Sequence, residues 1–433
     1  MKINIVDILD SLNKAQSVIS PELGAHQRQV AYLAYRMAKQ LKWPQETRNK
    51  VFIAGLLHDI GALSFQEKEA VVAGTEDIHV HARRGAYLIS NFLPQRHIAP
   101  VIKYHHVPWQ NGKSVEENPD MPMESQLLYL TDRICVNIIG SKFILSQISY
   151  LKEYSKRNRG ELFVPEYVDA FLELAANESV WLDLVSDDLI SKIDYSYIAS
   201  TDVSMDDLVD LARIYSYLID FRSPFTATHS AGVAKVAQKL AELLHFSPTD
   251  CKKIMVAGYL HDLGKLAVDN AILEKQSALD PEEFDVIRSH TYYTYYLLDG
   301  IAGLDDLKRW AAYHHERLNG TGYPFHIGEA NLGLGARIMA VADVFSALQE
   351  KRPYKEPMSQ AETTSILNRM VENGSLDSYI VSTLLKNFTA LAEIFIHAGE
   401  QAVKEYGILY DIGVTNQSKN EGPIGENELS RPI

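Results

Sequence analysis

The sequence predicts an all-α protein built from two tandem helical bundles that arose by duplication of one domain. Three observations support this fold class. Histidines and His-Asp pairs recur at matching intervals in the two halves, apolar residues follow a helical period in both, and long alternating runs rich in β-branched residues are scarce. The 433 residues are enough for two or three domains.

The internal repeat is read from the spacing of histidines. In each half one histidine lies 32 residues before a His-Asp pair: His26 before His58-Asp59, and His229 before His261-Asp262. In each half two more histidines are 24 residues apart: His81 and His105, then His290 and His314. The offset between the halves is 203 residues at first and 211 near Asp132 and Asp343, which indicates a duplicated domain with short insertions.

The apolar pattern predicts amphipathic helices at equivalent places in both repeats. The apolar positions are Val30, Leu33, Ala34, Met37, Ala38 and Leu41, then Val233, Val236, Ala237, Leu240, Ala241 and Leu244. Pro44 and Pro248 each mark the start of the next helix. Residues 161–190 and 375–395 occupy matching late helical segments. We expect domains at 1–199 and 200–412, followed by a disordered tail at 413–433 that lacks apolar periodicity.

Composition limits the class of protein. Apolar residues make up 46% and charged residues 23%, which is ordinary for a soluble globular protein. The net charge of −14 argues against binding long nucleic acid. Cys135 and Cys251 lack metal-ligand spacing and are expected to be core thiols in a reducing compartment. No signal peptide and no apolar run of membrane-spanning length is present, so we expect a cytoplasmic protein without membrane contact.

The second half holds five histidines and two aspartates whose chemistry suits a pair of metal ions. They are His229, His261, Asp262, His290, His314, His315 and Asp343. Imidazole binds borderline divalent metals through one ring nitrogen, whereas a carboxylate can bridge two ions. An adjacent His-Asp pair on a helix would project its side chains about 100° apart. Two ions about 3.5–4 Å apart are suited to displacement at phosphorus.

This half resembles the HD-GYP phosphodiesterases, a branch of the HD metal-dependent phosphohydrolases, over roughly residues 205–400. The matching elements are His229, the run from His261 to Lys265, His290, the run from His314 to Pro324, the run from Ala342 to Leu348, and Arg352-Pro353-Tyr354-Lys355. The resemblance therefore implies two HD-type bundles.

The resemblance also implies a role for each matching residue. The seven His and Asp residues would bind two divalent metal ions, usually iron with manganese as a substitute, and Asp262 would bridge them and take part in catalysis. Lys265 would contact the scissile phosphate. Arg352 and Lys355 would hold the nucleotide beside the Gly322-Tyr323-Pro324 turn. The implied reaction hydrolyses a cyclic dinucleotide to a linear one and, in some members, on to mononucleotides.

Two departures from the family pattern affect this expectation. Phe225 stands where some members carry a Glu for a third metal, so we expect two metals. Asn319 stands where Asp is usual in the Gly-Tyr-Pro loop, which is expected to alter the hydrogen bonds of the loop. The default substrate is cyclic di-GMP, with cyclic GMP-AMP as the rival. A cyclic-dinucleotide receptor and a nucleotide phosphohydrolase of the wider HD class are the alternative functions.

The first half looks like a degenerate copy. It keeps the equivalents of all seven ligands: His26, His58, Asp59, His81, His105, His106 and Asp132. Ala62 replaces the lysine, and neither the Gly-Tyr-Pro loop nor the Arg-Pro-Tyr-Lys element is present. His79 competes with His81 as third ligand, and the 24-residue spacing favours His81. Packing, dimerisation as a homodimer, ligand sensing and hydrolysis of another phosphate ester all remain open roles.

Overall fold

The protein is all-α, as the sequence predicts. The computed structural model describes residues 6–10, 21–62, 78–186, 188–193, 203–220, 228–273, 275, 277–299, 301–351 and 356–414. Within these ranges, β pairing is limited to one isolated bridge between Arg159 and Phe163. The expected boundary near residue 200 falls outside the described residues, so the domain limits stay a proposal.

Residues 6–10 of the first half are helical, and nine further α-helices follow in the described ranges. They are α1 (Pro21–Gln40), α2 (Gln45–Leu57), α3 (Ile78–Ser90), α4 (Ala99–Lys103), α5 (Lys113–Glu117), α6 (Met123–Val136), α7 (Ile148–Arg157), α8 (Pro165–Leu174) and α9 (Glu178–Leu184). Helix α1 includes the predicted apolar stripe, whose members Val30, Ala34 and Met37 are fully buried. Pro44 is the N-cap of α2.

The second half contains ten α-helices in the described ranges. They are α10 (Met205–Asp220), α11 (His229–Leu243), α12 (Pro248–Leu260), α13 (Asn270–Leu273), α14 (Pro281–Leu298), α15 (Asp305–Ala312), α16 (Leu334–Gln349), α17 (Gln360–Glu372), α18 (Ser378–Lys386) and α19 (Phe388–Val414). Helix α11 packs on α12 as α1 packs on α2, so the duplication is visible in the packing of helices. The late segments at 161–190 and 375–395 each contain two helices instead of one.

Local sequence signals explain where the helices of the second half begin. Pro248 is the first residue of α12, and the Ser247 side chain accepts a hydrogen bond from the Asp250 backbone N–H. Helix α14 starts with a capping box in which Asp280 and Glu283 satisfy each other's backbone N–H groups. These caps fix the starts of two helices that lead to the candidate site.

The last helix joins the two halves. Helix α19 packs on α11 in the second half and on α3 in the first. The Arg84 side chain of α3, which is buried, donates from Nε to the Leu409 carbonyl oxygen at 2.8 Å. Helix α19 continues to Val414 and so includes the first two residues of the expected tail, and residues 415–433 lie outside the described part of the chain.

Two other expectations concern cysteines and membranes. Cys135 and Cys251 are both free and buried, as expected for core thiols. Among the described residues, no single helix has the length and apolar character needed to cross a membrane. The helix pair Ser378–Lys386 and Phe388–Leu409 passes that test only when taken together, across a bend of 82°.

Candidate metal centre

The seven predicted ligands of the second half converge in space. His229 begins α11, His261 and Asp262 follow α12, His290 lies in α14, His314 and His315 follow α15, and Asp343 lies in α16. Their ligand atoms form three overlapping groups, each within 4.8 Å: His229, His261 and Asp343; His261, Asp262 and His314; His290, His314 and His315. Residues that are up to 114 positions apart in sequence therefore share one site.

The His-Asp pair lies at the end of a helix, which corrects the expectation that both residues are helical. Helix α12 ends at Leu260, and His261 keeps helical dihedral angles as its C-cap, while Asp262 turns away at φ −93° and ψ 11°. The turn is held against α14 because the Thr294 hydroxyl donates to the His261 carbonyl oxygen and accepts from the Gly264 N–H, both at 2.9 Å. The corner thus directs the two side chains to different neighbours.

Asp262 has the geometry of a bridging carboxylate. Its Oδ2 lies 3.3 Å from Nε2 of His261, and its Oδ1 lies 3.4 Å from Nε2 of His290. His229 and Asp343 complete one side, with Nε2 to Oδ1 at 3.3 Å. Each carboxylate oxygen of Asp262 therefore faces a different histidine, as required of a residue shared by two ions.

Several imidazole rings of the cluster direct nitrogen lone pairs toward one another. This arrangement indicates whether a metal ion fits the site. His261, His290 and His314 donate from Nδ1 to backbone carbonyl oxygens three residues earlier, at 2.5–2.8 Å. In a neutral ring this leaves Nε2 as an acceptor. Nε2 of His290 and Nε2 of His314 are 3.3 Å apart, and the buried Nε2 of His261 has no hydrogen-bond partner.

A cation bound by both nitrogens would account for the short distance between them. Two nitrogens bound to one ion at about 2.1 Å lie about 3.0–3.4 Å apart. The observed 3.3 Å falls in that interval, whereas two lone pairs at this distance without a cation repel each other. The side chains present therefore fit a pair of divalent metal ions.

Burial and neighbouring charge set the protonation of the cluster. Burial lowers the pKa of His290 to about 4 and that of His315 to about 3. Burial alone would raise the pKa of Asp262, but the neighbouring His261 ring and the Lys265 cation hold that pKa well below its usual range. Neutral imidazoles and ionised carboxylates are the forms that bind metal.

Lys265 contacts the Asp262 carboxylate directly. Its Nζ lies 2.5 Å from Oδ2 of Asp262, and its side chain is one quarter exposed. The pKa of Lys265 is raised because the neighbouring Asp262 charge outweighs the opposing effect of burial. The predicted nucleotide-holding residues, Arg352 and Lys355, lie outside the described residues, as does Phe225.

The Gly-Tyr-Pro loop borders the cluster on the His315 side. The Tyr323 ring lies 4.9 Å from the His315 ring between centroids, and the Tyr323 N–H donates to the His315 carbonyl oxygen at 3.3 Å. Gly322 is required here because an added β-carbon would lie 2.5 Å from the Arg317 nitrogen. Pro324 follows through a cis peptide bond.

Two residues fasten this loop to the rest of the domain. Glu316, which is fully buried, accepts backbone N–H bonds from Phe325 at 2.7 Å and Ile327 at 3.0 Å. Asn319 donates from its amide nitrogen to the Asn373 carbonyl oxygen at 2.9 Å, a bond that an ionised Asp could not make. The departure at position 319 therefore changes the hydrogen bonding of the loop, as expected.

The first half assembles an equivalent cluster. Asp59, His81, His105 and His106 form one group within 4.8 Å, and His26, His58 and Asp59 form another. Asp59 again divides its oxygens, with Oδ2 at 3.1 Å from His58 Nε2 and Oδ1 at 3.2 Å from His81 Nε2. The third histidine in this cluster is thus His81, as the spacing favours.

The two clusters differ in the cation beside the carboxylates. Ala62 occupies the place of Lys265, and Arg133 instead holds Asp132 through Nε at 3.0 Å and a terminal nitrogen at 2.7 Å. Asp132 Oδ1 remains 3.1 Å from His26 Nε2. The first cluster therefore gathers the equivalent histidines and aspartates but has its neighbouring cation at Asp132.

Sequence reasoning missed several residues around the second cluster. Glu350 is almost fully buried with Oε1 4.0 Å from His229 Nδ1, and Asp220 accepts from the Ser230 hydroxyl at 2.8 Å. Burial raises the pKa of Asp220 to about 7. The Arg288 guanidinium carbon lies 5.0 Å from the Tyr323 ring centroid. These positions carry no motif, and only their tertiary neighbours reveal them.

Comparison with known proteins finds a family model that matches each half. Residues 23–137 and residues 213–380 each match a model described as an HD domain. The 3′3′-cGAMP-specific phosphodiesterase 1 of Vibrio cholerae is 29% identical over 375 residues, which cover 84% of this chain and 86% of that protein.

Two further proteins match part or all of the chain. A cyclic di-GMP phosphodiesterase of Pseudomonas aeruginosa is 35% identical over 170 residues, covering 37% of this chain and 39% of that protein. The crystal structure of a cyclic GMP-AMP specific phosphodiesterase of V. cholerae aligns with a TM-score of 0.61 at 22% identity, covering 88% of this chain and 97% of that one. This last likeness concerns the fold.

Proposed function

The chain belongs to the HD-domain family, with one HD domain in each half, and on this premise we propose that it is a metal-dependent phosphodiesterase that hydrolyses a cyclic dinucleotide. The observation that carries the proposal is the second cluster. Five histidines and two aspartates lie there in overlapping groups that could hold metal, beside a lysine that contacts the Asp262 carboxylate. The first cluster lacks that lysine.

The residues of the second cluster and Lys265 each have a proposed task in this reaction. When bound, the two ions would supply an activated water and neutralise charge on the phosphate oxygens. Asp262 orients toward both ions because its two oxygens face different histidines. Burial lowers the pKa of His290 and that of His314, so these two imidazoles are neutral and can direct their lone pairs toward the ions. Lys265 supplies a fixed positive charge where the scissile phosphate would lie.

The leading substrate in this proposal is 3′3′-cyclic GMP-AMP, with cyclic di-GMP second. Support comes from the extent of the likeness. The relative named for cyclic GMP-AMP aligns across both halves, while the Pseudomonas relative named for cyclic di-GMP aligns over about two fifths of this chain. Arg352 and Lys355 are proposed to hold the nucleotide, because they belong to the motif that carries the resemblance.

Iron is the proposed metal and manganese the substitute, since mixed imidazole and carboxylate ligands accept both. The proposed location is the cytoplasm, where cyclic dinucleotides act as messengers. We also propose that the first domain binds metal without hydrolysing cyclic dinucleotides. Its His105 Nδ1 donates to the Ile102 carbonyl oxygen, so Nε2 of His105 faces Nε2 of His81 at 3.4 Å as an acceptor.

Product analysis tests the proposed function. Anaerobically purified protein should convert a cyclic dinucleotide to a linear one, and the double variant His261→Ala/Asp262→Ala should lose this activity together with metal. The matched double variant His58→Ala/Asp59→Ala should lose only first-domain metal and keep turnover. Release of free phosphate from nucleoside phosphates, without linear dinucleotide, would instead support the wider HD phosphohydrolase class.

A receptor is the second candidate function, favoured only by the first domain, which keeps ligands without the lysine. A receptor would bind cyclic dinucleotide tightly and release no product from metal-loaded protein. Binding without turnover in protein that carries a full complement of metal would therefore reject the enzyme proposal.

A further inference from the structure

We propose that an exposed aromatic face beside the Gly-Tyr-Pro loop binds a guanine base of the substrate. We call it the α14 face and define it by Phe284, Arg288, Tyr292 and Phe325. The inference rests on the proposed function for the identity of the ligand and goes beyond it by assigning residues that recognise the base.

The α14 face is formed by one side of a helix and the tip of the loop. Phe284, Arg288 and Tyr292 are spaced by four residues, so they project from the same side of α14. Phe284 is 47% exposed, Tyr292 is 48% exposed, and Phe325 is 37% exposed. The Tyr292 and Phe325 rings are 6.3 Å apart between centroids. Large aromatic surfaces are thus gathered at one place.

Packing within the domain accounts for the neighbouring aromatic residues but leaves this face open. Tyr295 stacks on Tyr313 at 6.0 Å with an interplanar angle of 3°, and both rings contact Phe325, at 5.1 and 5.4 Å between centroids. Phe325 is therefore supported by a fixed aromatic layer while its outer side and Tyr292 remain exposed. A rigid exposed ring suits stacking because little side-chain entropy is lost on binding.

The face is continuous with the metal cluster. The centroids of the His315 and Tyr323 rings are 4.9 Å apart. The Arg288 guanidinium carbon lies 5.0 Å from the centroid of the same Tyr323 ring. A single tyrosine ring therefore separates a metal ligand from Arg288. A nucleotide whose phosphate lies at the metal ions would place its base, one sugar away, along this side.

The chemistry of the face favours guanine. Bases stack on aromatic side chains through their π-faces. Arginine donates two hydrogen bonds to O6 and N7 of guanine, which adenine cannot accept in the same way. The guanidinium of Arg288 lies over the Phe284 and Tyr323 rings and forms a surface ion pair with Asp285 at 3.2 Å. Asp285 is 71% exposed, so this ion pair costs little to exchange. Both candidate substrates contain guanine.

Binding and kinetics of full-length, metal-loaded protein test the assignment. Arg288→Ala should raise the Kd for 3′3′-cyclic GMP-AMP and for cyclic di-GMP by about ten-fold or more. It should also reduce the ratio by which these two ligands bind more tightly than cyclic di-AMP. Hydrolysis of bis(p-nitrophenyl) phosphate, which has no base, should stay within about two-fold of wild type because the metal cluster is untouched. Tyr292→Ala should weaken binding of all three dinucleotides by a similar factor.

Matched controls come from the same domain. Arg309 makes an equivalent surface pair with Asp306 three residues away, and Tyr379 is 69% exposed on α18. Arg309→Ala and Tyr379→Ala should leave Kd and KM unchanged. An unchanged Kd in Arg288→Ala, or an equal loss of bis(p-nitrophenyl) phosphate hydrolysis, overturns the assignment.

The outcome is separable from that of the proposed function. If wild-type protein binds cyclic dinucleotide in an Arg288-dependent way but forms no product, the phosphodiesterase proposal fails and the α14 face stands. If product forms and Arg288→Ala behaves as wild type, the phosphodiesterase proposal stands and the assignment of the α14 face fails. If wild-type protein neither binds nor hydrolyses these dinucleotides, both are rejected.

Discussion

Gly264→Ala should disable the second metal centre although it adds only one methyl group and removes no ligand. Gly264 lies at the corner after the His-Asp pair, where the chain touches α14. An added β-carbon would lie 2.7 Å from the Thr294 backbone nitrogen and closer still to the His290 carbonyl oxygen. Ordinary van der Waals separation is about 3.5 Å. Either the corner or the backbone of α14 must therefore move by at least about 1 Å.

The displaced segments carry ligands, which sets the size of the effect. Asp262 and His290 lie on the two sides of this contact. A displacement of about 1 Å at a reacting centre costs roughly 10²-fold in rate. Overpacking a filled site lowers the free energy of unfolding by about 1–3 kcal/mol. We therefore expect kcat/KM for the cyclic dinucleotide to fall about a hundred-fold in protein that still folds.

The assay pairs steady-state turnover with metal content and urea denaturation. Gly407→Ala is the control, because nothing lies within 4 Å of a β-carbon at that position of α19, and alanine there should raise the free energy of unfolding by about 0.5–1 kcal/mol. Gly61→Ala repeats the perturbation in the first domain, where turnover should persist. Wild-type turnover and metal content in Gly264→Ala would refute the reasoning.

Three other changes test separate parts of the account. Lys265→Ala should lower kcat by roughly 10²–10³-fold without loss of metal, whereas the surface variant Lys239→Ala should have no effect; equal metal loss in Lys265→Ala would contradict the assigned role. Glu316→Gln removes one of two acceptors for the loop N–H groups and should raise KM for the dinucleotide, and an unchanged KM would show that the loop does not depend on it. In chelated protein, the raised pKa of Asp220 means that the folded state holds a proton that the unfolded state releases. The free energy of unfolding should therefore fall as the pH rises from about 4 to about 7. Asp220→Asn should flatten this slope in thermal melts, and a slope that persists would exclude Asp220 as its source.

Much of the fold could be predicted because the duplication repeats a helical period. The stripe that begins at Val30 and its equivalent at Val233 both lie on buried helix faces. The ligands could be found for the same reason, since spacings shared by two halves mark residues that must meet. His81 was separable from His79 only through this repeat.

The rest depends on contacts between distant segments. The His-Asp pair was expected on a helix, and its real position at a helix end depends on Thr294, which lies more than 30 residues away and bonds both sides of the corner. Glu316 is an ordinary acidic residue in sequence, and only its two bonds to the loop reveal its role. Arg133 supplies the positive charge near the first cluster. The absence of a lysine at position 62 does not indicate that this charge lies at position 133.

Metal titration of turnover is the most direct test of the central claim, that a metal pair in the second domain cleaves a cyclic dinucleotide. Chelated protein is titrated anaerobically with Fe²⁺ or Mn²⁺, and formation of linear product from 3′3′-cyclic GMP-AMP and cyclic di-GMP is followed together with bound metal. Product should appear as metal binds, should persist in His58→Ala/Asp59→Ala, and should be absent in His261→Ala/Asp262→Ala. Turnover that is independent of metal, or that survives loss of the second cluster, would contradict the account.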